Sequence, residues 1–137
     1  MHRTLLALML MCPAFAFSAE LAIPILTVAG KKKSDVSAAI GKATACETVK
    51  QGEKCYYQKA NTAIIYINGK ADWISVEALD QVQDATQVLL ALGLKTVPPN
   101  SKSGNAVRWL NLHGLLEITA FQADHRVDYA LIKVSTP

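Results

Sequence analysis

The sequence predicts an α+β fold: a tandem repeat of a short helix plus a three-stranded antiparallel meander, with the helices packed on one face of the sheet. Three observations predict it. Two β-rich runs, Thr62 to Ile67 and Lys70 to Val76, flank Asn68-Gly69, and an Asn-Gly pair between such runs is the strongest short hairpin signal. From Ser34 to Ile40, Val36, Ala39 and Ile40 fall at i, i+3 and i+4. Ser34 is a candidate N-cap and Gly41 stands where a left-handed C-terminal residue is wanted. The same order of segments then recurs. At an offset of 52, Val36 to Gly41 falls on Val88 to Gly93, and at an offset of 56, Gly69 to Trp73 falls on His125 to Tyr129.

In chain order, Met1-His2-Arg3 is a short basic start and Thr4 to Cys12 an apolar run, and Ala14-Phe15-Ala16 has the small-x-small form of a signal-peptidase site. Residues 1–16 therefore read as a signal peptide, with cleavage allowed as late as Ala19. A membrane anchor needs roughly 20 apolar residues, and Pro13 cuts this run short. Residues 17–137 read as one small α+β domain of two repeats, about 30–76 and 78–134. Losing Arg3 leaves 13 of the 14 basic residues against 11 acidic ones, a net of +2. Only Lys31-Lys32-Lys33 clusters, which reads as a solvated turn and implies no nucleic-acid partner.

Cys46 and Cys55 remain, an even count in an exported and oxidising setting, and a disulfide is the default reading. Their spacing is wrong for Cys-x-x-Cys redox chemistry. Leu21 to Val28 contains Pro24, which limits it to an edge strand or an extended arm. Lys42 to Lys54 reads as a loop pinned by the cysteines. Cys55 to Gln58 starts the first strand, Lys59-Ala60-Asn61 turns it, and the Asn-Gly hairpin supplies the next two. Leu79 to Leu92 reads as one helix, or two broken near Asp84, with Leu79, Val82, Ala85 or Thr86, Leu89 and Leu92 on one stripe. Pro98-Pro99 and Asn100 to Asn105 form a loop, and Val107 to Leu112, Leu115 to Gln122 and Val127 to Val134 are three strands.

A two-residue turn pairs Ile67 with Lys70, Ile65 with Asp72 and Ala63 with Ile74 on one face, and Ile64 with Trp73 and Tyr66 with Ala71 on the other. The second hairpin, turning at Asp124-His125, places Leu116, Ile118, Val127, Tyr129 and Leu131 on an apolar side. By equivalence Ile64 and Trp73 belong to the core. Ile65, Ile67 and Ile74, beside Lys70 and Asp72, then form an unusually apolar surface.

Catalytic constellations are absent from the sequence: no Gly-x-Ser-x-Gly, no His-Glu-x-x-His, no phosphate loop. His113 and His125 read as turn residues. Asp124, His125 and Asp128 crowd one turn without a second segment to close a metal shell. Asp72 and Asp128 occupy equivalent positions but each has a basic neighbour, Lys70 or Arg126, to pair with. Trp73, Trp109, Tyr66 and Tyr129 read as core aromatics. No cofactor and no metal are expected.

With Val36, Gly41, the run Gly41-Lys42-Ala43-Thr44-Ala45-Cys46-Glu47-Thr48, and Cys55 entering a strand, the chain resembles the β-lactamase-inhibitor-protein group. It is also similar to the small outer-membrane assembly lipoproteins of the SmpA/OmlA type. The resemblance covers about Gly30 to Ser75. The second half lacks cysteines, the chain is shorter than the inhibitors, and Met11 before Cys12 departs from a lipidation site, so inhibition and anchoring do not carry over. What the resemblance implies is a sheet that works as a protein-binding surface. The functional expectation is an exported, periplasmic, non-enzymatic module whose partner is another exported or envelope protein. The candidate binding residues are Ile65, Ile67, Lys70, Asp72, Ile74, Phe121, Arg126 and Asp128. The alternatives are that the arm Leu21 to Val28 covers this face, or that a small or lipidic ligand enters a pocket near Trp73 and Trp109.

Overall fold

The Asn-Gly turn forms as its chemistry dictates: Asn68 (φ 51°) and Gly69 (φ 76°) are both left-handed, the geometry that matches the twist of the strands they join. In a computed structural model, which describes residues 20–134, these strands are β3 (Thr62–Ile67) and β4 (Lys70–Val76). They lie inside one antiparallel sheet with β1 (Ala45–Val49), β2 (Gly52–Tyr57), β5 (Ser101–Ser103), β6 (Ala106–Leu112), β7 (Leu115–Gln122) and β8 (Val127–Val134). The spatial order is β1-β2-β3-β4-β8-β7-β6-β5. The proposed signal peptide lies outside the described residues.

This corrects the expected fold. The architecture is a single eight-stranded antiparallel sheet with two short helices, α1 (Lys33–Ile40) and α2 (Val88–Ala91), and not a repeat of a helix plus three strands. Two strands were hidden in segments read as loops. β1 is polar and exposed along most of its length, so its sequence lacks the alternation that marks a half-buried strand. β5 is three exposed residues, Ser-Lys-Ser.

The helix expected over Leu79 to Leu92 reduces to a 3₁₀ turn, Ala85–Gln87, running into α2. Its apolar stripe is nevertheless buried: Leu79, Val82, Ala85, Leu89 and Leu92 are all in the core. Tertiary bonding overrides the helical period here. The Val82 carbonyl accepts from Val127 N–H, and Ala85 N–H is held by the Gln122 side chain, so these backbone groups serve the sheet instead of a helical ladder. Asp84 is extended and accepts from the Thr86 N–H and hydroxyl. These bonds, the backbone one foremost, hold its carboxyl below the usual carboxylate range. A depressed acid stabilises the fold above its unfolded pKa and loses that contribution as pH falls through its folded one. Asp84→Ala is therefore expected to cost about 0.5–1 kcal/mol at neutral pH. In urea denaturation the cost should shrink below pH 3.8, the unperturbed value.

The core follows from strand alternation. One row runs Cys55, Ile64, Ile74, Ile132, Ile118, Trp109 across β2, β3, β4, β8, β7 and β6, and every member is buried. The arm closes this face from the other side. Ala22 and Ile23 N–H donate to the Ala91 carbonyl and Ile25 N–H to Leu92, which seats Ile23, Ile25 and Val28 fully inside. The arm is thus neither a sheet strand nor a cover for the opposite face. Tyr57 and Tyr66, buried on β2 and β3, share a hydroxyl–hydroxyl bond. Burial, and then that bond, push the Tyr66 phenol well above its usual range.

The disulfide joins Cys46 to Cys55 across β1 and β2, Cα to Cα 4.1 Å. Closing a loop of sequence separation 9 contributes about 2.5–3 kcal/mol in the chain-entropy model. The Cys46→Ser/Cys55→Ser double variant is expected to lose that amount in urea denaturation, with amide exchange accelerating first in β1.

Candidate functional site

The decisive local feature is a bulge. Ile67 pairs with Lys70 and Tyr66 with Ala71 as the turn requires, but Ile65 then pairs with Trp73, and Asp72 is the extra residue. One inserted residue exchanges the faces of all that follow it. Trp73, expected in the core, is 40% exposed, whereas Ile74 and Asp72, expected on the surface, are 1% and 0% exposed. A second bulge inserts Asp128 in β8: Phe121 pairs with Tyr129 and Ala120 with Ala130. Val127 and Ile118 stay in the core as expected, while Tyr129 and Leu131 turn to the outer side with only partial burial, and Leu116 is exposed. At the second turn Ala123 N–H does meet the Arg126 carbonyl, but neither Asp124 nor His125 takes a left-handed conformation.

The outer face that results carries two adjacent rows across the sheet. One is Lys54, Ile65, Trp73, Lys133, Glu117, Leu110; the other is Tyr56, Ala63, Ser75, Leu131, Thr119, Arg108. Between them lie two hollows. The larger, of about 380 Å³, is lined by residues that include Lys54, Ala63, Ile65, Trp73, Ser75 and Leu131. The smaller, of about 160 Å³, is lined by Trp73, Arg108, Glu117, Thr119, Phe121, Leu131 and Lys133. Trp73 and Leu131 belong to both, so the hollows form one trough whose floor is the small pair Ala63 and Ser75. Phe121, in the wall of the smaller hollow, stacks on Tyr129 at 4.5 Å, and Tyr56 and Leu110 stand exposed at the ends of the two rows.

Lys54 lies over the Tyr56 ring, 5.3 Å from its centre, and the other basic groups of this face, Lys133 and Arg108, are each paired with a carboxylate. Buried Asp72 bonds the Lys133 ammonium through Oδ2, and that ammonium lies 5.1 Å from the centre of the Trp73 ring. Arg108 Nε meets Glu117 Oε1 at 2.7 Å, and Thr119 donates to the same oxygen at 2.8 Å. Glu47 accepts from the Tyr56 hydroxyl at 2.8 Å. The arrangement is suited to holding apolar and aromatic groups against a charge-balanced surface.

Of the sequence candidates, the structure gathers Ile65 and Phe121 on this face, with Ile67 half-buried beside the Asn-Gly turn. Lys70 is exposed at that turn. Arg126 lies at the other hairpin's end, bonded to Asp80 at 2.9 Å. Asp128 lines a separate hollow with Asn61, Glu77, Asp80 and Tyr129. Ile74 and Asp72 leave the surface altogether. The outer face adds Leu131, Lys133, Arg108 and Glu117, which are not among the sequence candidates, and Trp73, which is a candidate only for a ligand pocket; the signal in the sequence is an aspartate interrupting each apolar strand at Asp72 and Asp128. Trp109 is core, donating Nε1–H to the Val97 carbonyl at 2.9 Å. It lies on the opposite face from Trp73, so the two cannot line one pocket.

Among the described residues, Cys46, Glu53 and Cys55 are the one cluster with metal-ligand spacing, and their sulfurs are bonded to each other. No described helix is long and apolar enough to cross a membrane. No protein-family model matches the chain, and no curated protein and no solved structure matches it.

Proposed function

We propose that the chain is an exported, non-enzymatic binding module whose outer sheet face receives a segment of another exported protein. The observation that carries this reading is Trp73: a bulge turns a large aromatic out of the core and leaves it 40% exposed at the centre of an apolar trough. A sheet buries one face against helices and needs a reason to keep large apolar groups on the other. Central, half-desolvated tryptophans ringed by paired charges are the composition of interface anchors. The basic–apolar–small pattern of residues 1–16 and the Cys46–Cys55 bridge support export.

The test is recovery of partners from periplasmic extract by the wild-type chain and by Trp73→Asp and Leu116→Asp variants of equal thermal stability. The proposal expects a protein that Trp73→Asp loses by at least about tenfold, the scale of a hot-spot residue, and that Leu116→Asp retains. Equal recovery of every partner by all three chains would contradict it.

A further inference from the structure

We infer that the smaller hollow of the trough is an anchor pocket for the phenol ring of a tyrosine on the partner segment. The inference rests on the outer-face reading and narrows it to one side chain. At about 160 Å³ the hollow falls below the range of whole small-molecule sites. It matches a single six-membered ring, since a cavity of about 150 Å³ holds benzene. A two-ring indole is larger than that.

The lining has two ends. Trp73 on β4, Leu131 on β8 and Phe121 on β7 supply apolar and aromatic walls, against which a ring packs by face or edge. Toward β6 the hollow is closed by Arg108, Glu117 and Thr119. Arg108 engages Glu117 Oε1 and the Thr119 hydroxyl through Nε, and Thr119 donates to the same Oε1. These bonds use neither the Nη groups of the guanidinium nor Oε2 of the carboxylate, and both side chains are partly exposed. A donor and an acceptor therefore stand side by side without net charge. A phenol hydroxyl both donates and accepts, so it satisfies the two together. A carboxylate or an ammonium would meet one of them and oppose the other. A phenylalanine ring would take both out of water without offering a bond.

The walls are in place before a ring enters. Phe121 is stacked on Tyr129 at 4.5 Å. Trp73 carries the Lys133 ammonium 5.1 Å from its ring centre, and buried Asp72 holds that ammonium. A pocket built from side chains already fixed by other contacts loses little freedom on binding.

NMR titration of the disulfide-intact chain with p-cresol, the tyrosine side chain alone, and with toluene, which lacks its hydroxyl, tests the inference. Wild type should bind p-cresol about threefold to tenfold more tightly than toluene, the size of one or two net hydrogen bonds, with saturable shifts at Trp73, Leu131 and Phe121. In Arg108→Ala/Glu117→Ala that preference should vanish while toluene binding is retained. Trp73→Ala should weaken both ligands by at least about fivefold. If the double variant does not fold, the wild-type preference alone decides. Equal affinities in wild type, no saturable shift, or shifts confined to Ala63 and Ile65 in the larger hollow would overturn the inference. A chain that ignores p-cresol but loses a partner through Trp73→Asp overturns the anchor alone. A chain that binds p-cresol while its Trp73→Asp variant keeps every partner supports the ring site and overturns the outer-face reading.

Discussion

Replacing Trp109 by alanine is expected to cost about 3–5 kcal/mol of folding stability, while the same change at Trp73 costs about 1 kcal/mol, the ordinary size of a single-substitution effect. The two tryptophans look alike in sequence, each in a β-rich run. Their environments differ completely. Trp109 is 1% exposed, lies in a row with Ile118 and Ile132, and its indole N–H is satisfied by the Val97 carbonyl. Truncation there opens a cavity under β6, β7 and β8 and leaves the part-buried Val97 carbonyl without its donor. Trp73 has water on one side and the Lys133 ammonium over its ring, so truncation removes surface contact alone. Urea denaturation of both variants measures the contrast. Equal destabilisation would mean that the bulge is not where the pairing places it.

Lys133→Met is expected to destabilise the chain by about 3 kcal/mol, because it leaves the Asp72 carboxylate buried without its counter-charge. Asp72 is wholly enclosed while Lys133 retains 21% side-chain exposure. Oδ2 has the ammonium, and Oδ1 has no hydrogen-bond partner. A carboxylate in that position depends on one ion pair and has no second donor to fall back on. Removing both charges together is a different experiment. In an Asp72→Leu/Lys133→Met chain nothing charged is left buried, and stability should return to within about 1 kcal/mol of wild type. A double-mutant cycle by urea denaturation reads the difference directly, and additive losses would show that the pair is not coupled.

Much of the strand content was legible because its signals are local. Asn68-Gly69 fixed a turn and the β3–β4 ends, Pro98-Pro99 marked a break, and the alternation in residues 107–134 marked three strands. What failed was of two kinds. The helix over Leu79 to Leu92 had the right buried residues and the wrong backbone, since its N–H and C=O groups are taken by Val127 and Gln122 from distant strands. The face assignment failed because it propagated an unbroken period of two from the turn. Asp72 interrupts that period after two pairs, and every residue beyond it changes sides. Of the residues expected together on one exposed face, Ile65 and Phe121 lie on the outer face of the sheet, whereas Ile74 and Asp72 are buried. The core position expected for Trp73 rests on an unbroken register from the Asn68-Gly69 turn and on equivalence with the second hairpin. The bulge at Asp72 in the β3–β4 pairing turns it outward.

The most direct measurement of the outer-face account is site-specific photo-crosslinking in the exporting cell, with p-benzoylphenylalanine placed by Trp73→benzoylphenylalanine, Leu131→benzoylphenylalanine and, on the helix side, Leu26→benzoylphenylalanine. The account predicts the same discrete protein adduct from positions 73 and 131 and none from position 26. Adducts from position 26 alone, or none from 73 and 131 in a chain that is exported and folded, would contradict it.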